Sequence, residues 1–198
     1  MESSFAKGPG GEVASREMAS REVAPAELAS TEVTAAATEV AAAHEGVLAH
    51  ETTTGPEIWT QAGGKGDAWV AAVGSGATFI GVATALRWRN PRILCAAVEP
   101  AGCQPLAGLI VEKTRHLLQG TSYGSVPPHW DASLMDVSLP VDDDEVEHWR
   151  QMVATREGLH VGYSAAANVC AASGLLRSGR LPVDAVVATV LCDTGLKY

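Results

Sequence analysis

Lysine is scarce in this chain: Lys7, Lys65, Lys113 and Lys197 are the only four in 198 residues. With arginine the basic total is 14 against 23 acidic residues, a net charge of −9, so the basic face of a nucleic-acid binder is missing. Cysteine is as rare. Cys95, Cys103, Cys170 and Cys192 fall in no C-x-x-C or finger spacing, which points to neither a zinc site nor a disulfide framework. His116, His129, His148 and His160 share no ligand spacing either. No run of about 18 apolar residues exists, so no membrane-spanning helix is expected. The opening MESSFAKGPGGEVASRE lacks an apolar secretory core, and its glutamates suit a transit peptide poorly. A cytoplasmic protein with reduced thiols is expected. What remains is an ordinary globular composition, 46% hydrophobic and 19% charged.

That composition is unevenly spread. Residues 1–48 hold twelve Ala and eight Glu but no Trp, Tyr, Cys or Ile, while all five tryptophans lie beyond. The segment also repeats, as EVASR, EMASR, EVAPA, ELAST and EVTAA from Glu12 to Ala36. A five-residue period advances about 500° around a helix of 3.6 residues per turn. Val13, Met18, Val23, Leu28 and Val33 therefore wind around all sides and make no apolar stripe. Residues 1–48 are expected to form a disordered tail, and residues 49–198 a folded domain.

Beyond the tail, helix-like and strand-like segments alternate. Gly55–Ala62 reads as a helix opened by Pro56 and stopped by Gly63-Gly64. Asp67–Val73 is a short apolar run ended by Gly74, which suits a buried strand. Ala77–Arg89 places Phe79, Val82 and Leu86 on one helical face. Ile93–Val98 reads as a second strand, followed by an irregular Gly- and Pro-rich stretch down to Pro128. Leu134–Val141 and Val183–Leu191 read as further strands, with helices over Asp142–Arg156 and Ser164–Arg177. Apolar strands alternating with helices imply an α/β fold with a parallel sheet covered on both faces. The acidic run Asp142–Glu145 suits the first turn of its helix, where the macrodipole favours negative charge.

Val73-Gly74-Ser75-Gly76-Ala77-Thr78 joins a strand to a helix. Glycines there let successive N–H groups converge, the helix N-terminus adds partial positive charge, and Ser75 and Thr78 add hydroxyls. This is a phosphate cradle on its chemistry; a ligand-free tight turn is the competing reading. A dinucleotide site, with Glu99 as the ribose-binding acid, fits less well. Its G-x-G-x-x-G fingerprint would need glycine where Phe79 stands.

Six segments follow one another in order: GPEIWTQAGGKGDAWVAAVGSGATFIGVATALR, NPRILCAAVEP, HLLQGTSYGSVPPHWD, LMDVSLPVDDDEV, REGLHVGYSAAANVCAA and VLCDTGLKY. On them the chain, from about Ala49 to Tyr198, resembles the cysteine synthase and cystathionine beta-synthase family, pyridoxal-phosphate enzymes of the tryptophan-synthase-beta-like fold. The resemblance implies that Gly74, Ser75, Gly76, Ala77 and Thr78 match the phosphate loop G-T-G-G-T. Ala77 departs from that pattern, and its Cβ is expected close to the bound phosphate. It also implies that Ser164 of Gly162–Ala167 meets the cofactor's pyridine nitrogen. A neutral hydroxyl there suits beta-elimination and replacement; helix N-capping is the alternative role for Ser164. Gly120, in Gly120–Gly124, matches a substrate-side loop in which Ser122 replaces a glycine.

The resemblance further implies a missing half. The family's Schiff-base lysine in S-x-K-D-R and its carboxylate-gripping S-G-N-T-G loop occur nowhere in these 198 residues. The expectation is a fragment-like, N-terminally truncated member that retains a pyridoxal 5'-phosphate cradle but is inactive alone, with no catalytic residue of its own and no metal. A non-catalytic module that pairs with a complete homologue, or with a second copy of itself, is the alternative. A nicotinamide oxidoreductase is the weaker one.

Overall fold

The computed structural model describes residues 44–198; the expectation of a disordered tail falls, for residues 1–43, outside the described residues. Residues 44–49 are helical, and the helix continues through a π-helical turn at His50–Thr54 into α1, Gly55–Gln61. Then follow β1 (Ala68–Ala72), α2 (Ala77–Arg89) and β2 (Leu94–Pro100). After the long irregular stretch come β3 (Val137–Val141), α3 (Asp143–Glu157), α4 (Tyr163–Arg177) and β4 (Val187–Thr189).

The four strands form one parallel sheet in the order β3-β2-β1-β4. Alternation along the inner strands divides the core. Ala68 and Val70 of β1, with Ala96 and Val98 of β2, face α3 and α4. Trp69 and Ala71, with Cys95 and Ala97, face α2 and α1. Because both faces are covered, β1 and β2 are apolar at nearly every position.

The outer strands are shorter than the sequence suggests. Of Leu134–Val141, the start is taken by a 3-10 turn at Ala132–Leu134, capped by Asp131, whose carboxylate accepts from Ser133 N–H. Of Val183–Leu191, only Val187–Thr189 pairs, and only with β1; Val183 is fully exposed. An edge strand has one neighbour, so apolar content alone does not extend its ladder. On α3, Asp142 is the N-cap and forms a capping box with Glu145, satisfying amides that the first turn leaves without partners.

Candidate functional site

The turn between β1 and α2 is built from two glycines with different tasks. Gly76 is the residue before α2 and has φ +91°, a left-handed conformation that glycine adopts without penalty. Gly74 is required by contact: a Cβ there would run into the carbonyl oxygen of Gly120. The loop carrying Gly120 is tied to the same place, since Ser122 N–H donates to Val73 O at 3.0 Å. Ser122 holds φ +47°, so it keeps the left-handed backbone that a glycine would supply.

The first hydrogen bond of α2 runs from Ile80 N–H to Gly76 O at 2.9 Å. The amides of Thr78 and Phe79 lie ahead of it and point out of the helix end, as first-turn amides do. Ser75 Oγ accepts from Ala77 N–H at 3.4 Å. The hydroxyl of Thr78 lies 3.0 Å from His50 Nε2, and His50 Nδ1 lies 2.9 Å from Thr54 Oγ1.

Across from this turn stands the start of α4. Ser164 is buried at its second position. Its predicted alternative role as N-cap is not what the structure shows: Gly162 is the N-cap and has no capping side chain. The carboxylate of Asp193 supplies the cap, accepting from Ala165 N–H at 2.8 Å and Ser164 N–H at 3.2 Å. Tyr198 O–H donates to the same carboxylate at 3.1 Å, and the Tyr198 ring packs on Tyr163 at 4.6 Å. Desolvation, and next the neighbouring Asp193 charge, push the Cys192 thiol up to about 11. Cys192 is therefore a neutral thiol at neutral pH.

Between these elements lies an open cleft of about 570 Å³. Of the residues expected from the sequence, Gly74, Ser75, Gly76, Thr78, Gly120 and Ser164 all line it. Ala77 does not. It is buried as the first residue of α2, and its Cβ faces the helical residues 44–49, where a Cβ on Gly46 would lie 3.2 Å away. The expectation that the Ala77 methyl crowds a phosphate is thereby corrected: the side chain points away from the cleft. Glu99, considered for a ribose, is also elsewhere. It is fully buried and takes Leu106 N–H at 2.9 Å and Ser138 O–H at 2.6 Å.

Sequence reasoning missed Asp193, Tyr198, Lys197 and His50. The first three were visible only as the segment DTGLKY, and nothing local says that it returns to the start of α4. Lys197 lines the cleft, whereas Lys113 pairs with Asp143 at 2.6 Å. Lys65 closes the turn after α1.

One end of the cleft thus carries the positive end of a helix, free amides and two hydroxyls, a set suited to a phosphate dianion. The same cleft also carries the Ser164 hydroxyl, which makes no hydrogen bond among the described residues. The set fits pyridoxal 5'-phosphate, whose phosphate and ring nitrogen lie at opposite ends.

Comparison with known proteins agrees. Cysteine synthase B of Escherichia coli K12 is 32% identical over 150 residues, 76% of this chain and 46% of that protein. Cysteine synthase 3 of Caenorhabditis elegans is 38% identical over 142 residues, 72% of this chain and 42% of that one. The chain therefore spans less than half the length of these relatives. Among solved structures, a cysteine synthase from Entamoeba histolytica superposes with a TM-score of 0.71 at 27% identity, covering 77% of this chain and 44% of that one. An O-acetylserine dependent cystathionine beta-synthase from Helicobacter pylori gives 0.67 at 32% identity, covering 76% and 47%. The pyridoxal-phosphate dependent enzyme family matches residues 10–193, beginning well before the resembling region at about Ala49, and with this match and the cleft together the chain belongs to that family.

Proposed function

We propose that this chain holds pyridoxal 5'-phosphate between residues 74–78 and Ser164, as the cofactor-bearing part of a cysteine synthase-like protein, and that alone it does not catalyse beta-replacement. The observation that carries the reading is the convergence of Gly74, Ser75, Gly76, Thr78 and Ser164 on one cleft, although Ser164 lies far along the chain from the others. When bound, the cofactor supplies an electron sink for chemistry at a substrate's amine-bearing carbon. The amides and hydroxyls at the start of α2 bind the phosphate, and Ser164 offers an uncharged partner to the ring nitrogen.

The proposed inactivity rests on what these 198 residues do not contain. Neither S-x-K-D-R nor S-G-N-T-G occurs, so the amine that would engage the cofactor and the loop that would orient a substrate carboxylate are both missing. Loss of positioning alone forgoes about 7–11 kcal/mol of barrier lowering. Association with a second copy or a complete homologue, in the cytoplasm, is part of the proposal. It is supported by the exposed apolar side chains of Leu191, Leu196 and Tyr198, of which Leu196 is 84% exposed. No helix among the described residues is long and apolar enough to cross a membrane.

The test pairs equilibrium dialysis against pyridoxal 5'-phosphate with turnover of O-acetylserine and sulfide. The expected result is saturable binding, weakened by Ser75→Ala and Thr78→Ala, with turnover no faster than free cofactor. Turnover well above free cofactor, together with a stoichiometric borohydride-trapped adduct on Lys65, Lys113 or Lys197, would overturn the inactivity. Binding indifferent to both substitutions would place the ligand elsewhere.

A further inference from the structure

The π-helical turn before α1 has no part in the reading above, yet it reaches the cleft through one side chain. Helical residues 44–54 lie directly on the backbone of α2. A Cβ on Gly81 would collide with Val47 O and lie 2.8 Å from His50 Cβ, so the close approach depends on glycine. Seated there, His50 bridges two threonines: Nδ1 is 2.9 Å from Thr54 Oγ1, and Nε2 is 3.0 Å from Thr78 Oγ1. The imidazole has two neutral tautomers, and they have opposite consequences for Thr78. If Nδ1 carries the proton, Nε2 is an acceptor and draws the Thr78 hydroxyl hydrogen toward itself, away from the cleft. If Nε2 carries it, Nε2–H donates to Thr78 Oγ1, Thr54 O–H donates to Nδ1, and the Thr78 hydrogen is free to point into the cleft.

We infer that His50 is a positioning residue for phosphate recognition: through the chain Thr54 O–H to Nδ1 and Nε2–H to Thr78 Oγ1, it aims the Thr78 hydroxyl as a donor at the anion. The inference rests on the reading that residues 74–78 hold a phosphate. An anion in the cleft stabilises the tautomer that aims a donor at it, so ligand binding and the His50 proton position are linked. Each bond in the chain also polarises the next. His50 and Thr54, four residues apart, lie on one side of the helix, where Thr78 is in reach. Single π-helical turns inside helices are rare and fall frequently at functional sites.

The experiment compares affinities for pyridoxal 5'-phosphate and for pyridoxal, which lacks the phosphate, in wild type, His50→Gln, His50→Leu and Thr78→Val. The Gln amide places an N–H donor close to where Nε2–H stands, and Leu places none. Wild type and His50→Gln are expected to prefer the phosphorylated ligand to a similar degree. His50→Leu should lose about 2- to 12-fold of that preference, the worth of one hydrogen bond. Adding His50→Leu to Thr78→Val should then cost little more. A purely structural role would lower both affinities together and leave their ratio intact. A His50→Leu variant with an undiminished preference, in a wild type that has one, would overturn the inference alone. A wild type indifferent to the phosphate would overturn the cofactor reading and this inference with it. Imidazole 15N shifts check the same point without a variant. With pyridoxal 5'-phosphate bound, His50 should be protonated at Nε2, and protonation at Nδ1 alone would refute the inference.

Discussion

Gly74 and Gly120 meet backbone to backbone, with no room between them for a single methyl group. The contact joins the glycine-rich turn to the neighbouring Gly120 loop, both of which line the cleft, and sets how far apart they stand. Gly74→Ala must displace the Gly120 carbonyl, a backbone atom that cannot rotate away. The expected cost is about 1–3 kcal/mol, typical of an overpacked site, with weaker cofactor binding. Gly174, inside α4 with nothing within 4 Å of a Cβ, supplies the contrast. Gly174→Ala should stabilise by about 0.4–1 kcal/mol, since alanine loses less backbone freedom on folding. Urea denaturation of both variants checks the pair, and equal shifts of the same sign would refute the contact argument.

Ser122 is the one non-glycine residue with positive φ among those described, at +47°, and its buried hydroxyl has no partner there. Left-handed backbone costs an ordinary residue about 1–2 kcal/mol. Ser122→Gly is therefore expected to raise stability by about 1 kcal/mol, after allowance for the added flexibility of glycine. A lower unfolding midpoint would show that the serine is held there by something other than backbone geometry.

Asn168 is fully buried on α4 and ties β1 to the segment after β4 just beyond the end of their ladder. Its Oδ1 accepts from Ala72 N–H at 2.7 Å, and its Nδ2 donates to Val190 O at 2.9 Å. Asn168→Ala leaves both backbone groups unpaired, at about 1–3 kcal/mol each. The expected loss is about 2–6 kcal/mol with an unchanged denaturant m-value. Faster amide exchange at Ala72 should accompany it, and no change in exchange there would contradict the assignment.

Glu99 gives a pH signature. Burial pushes its carboxyl above the usual range, and the hydrogen bonds from Ser138 and from the backbone pull it only partly back. A carboxyl whose folded pKa exceeds the unfolded one favours the fold while protonated. That contribution is full below the ordinary carboxylate pKa and is lost as pH rises through the raised value. Glu99→Gln stays neutral throughout, so its stability relative to wild type should improve as pH rises from about 4 toward neutrality. Thermal midpoints across that range decide it. A difference that is flat, or that moves the other way, would mean the buried carboxylate is stabilised more strongly by its donors than burial disfavours it.

Much of the fold is legible in the sequence for local reasons. Ala77–Arg89 is bounded by glycine before it and Asn90-Pro91 after it, and the helix occupies those residues. The inner strands announce themselves because burial on both faces demands unbroken apolar runs, as in Ala68–Ala72. The outer strands do not, because β3 and β4 each have a neighbour on one side only, and pairing rather than hydrophobicity decides where they stop. Most of the candidate site is legible as well: Gly74, Gly76 and Thr78 follow from a strand-turn-helix pattern.

The sequence by itself determined the α/β layering, the glycine-rich turn between β1 and α2 and the family resemblance, because each is written in residues that are neighbours along the chain. Only the tertiary structure decided that Asp193 caps α4, that His50 reaches Thr78, and that the Ala77 methyl faces away from the cleft. Asp193 and Ala165, like His50 and Thr78, are 28 residues apart. No periodicity or turn rule carries that far. Such pairs form only when sheet and helices pack and bring distant segments of the chain within hydrogen-bond reach.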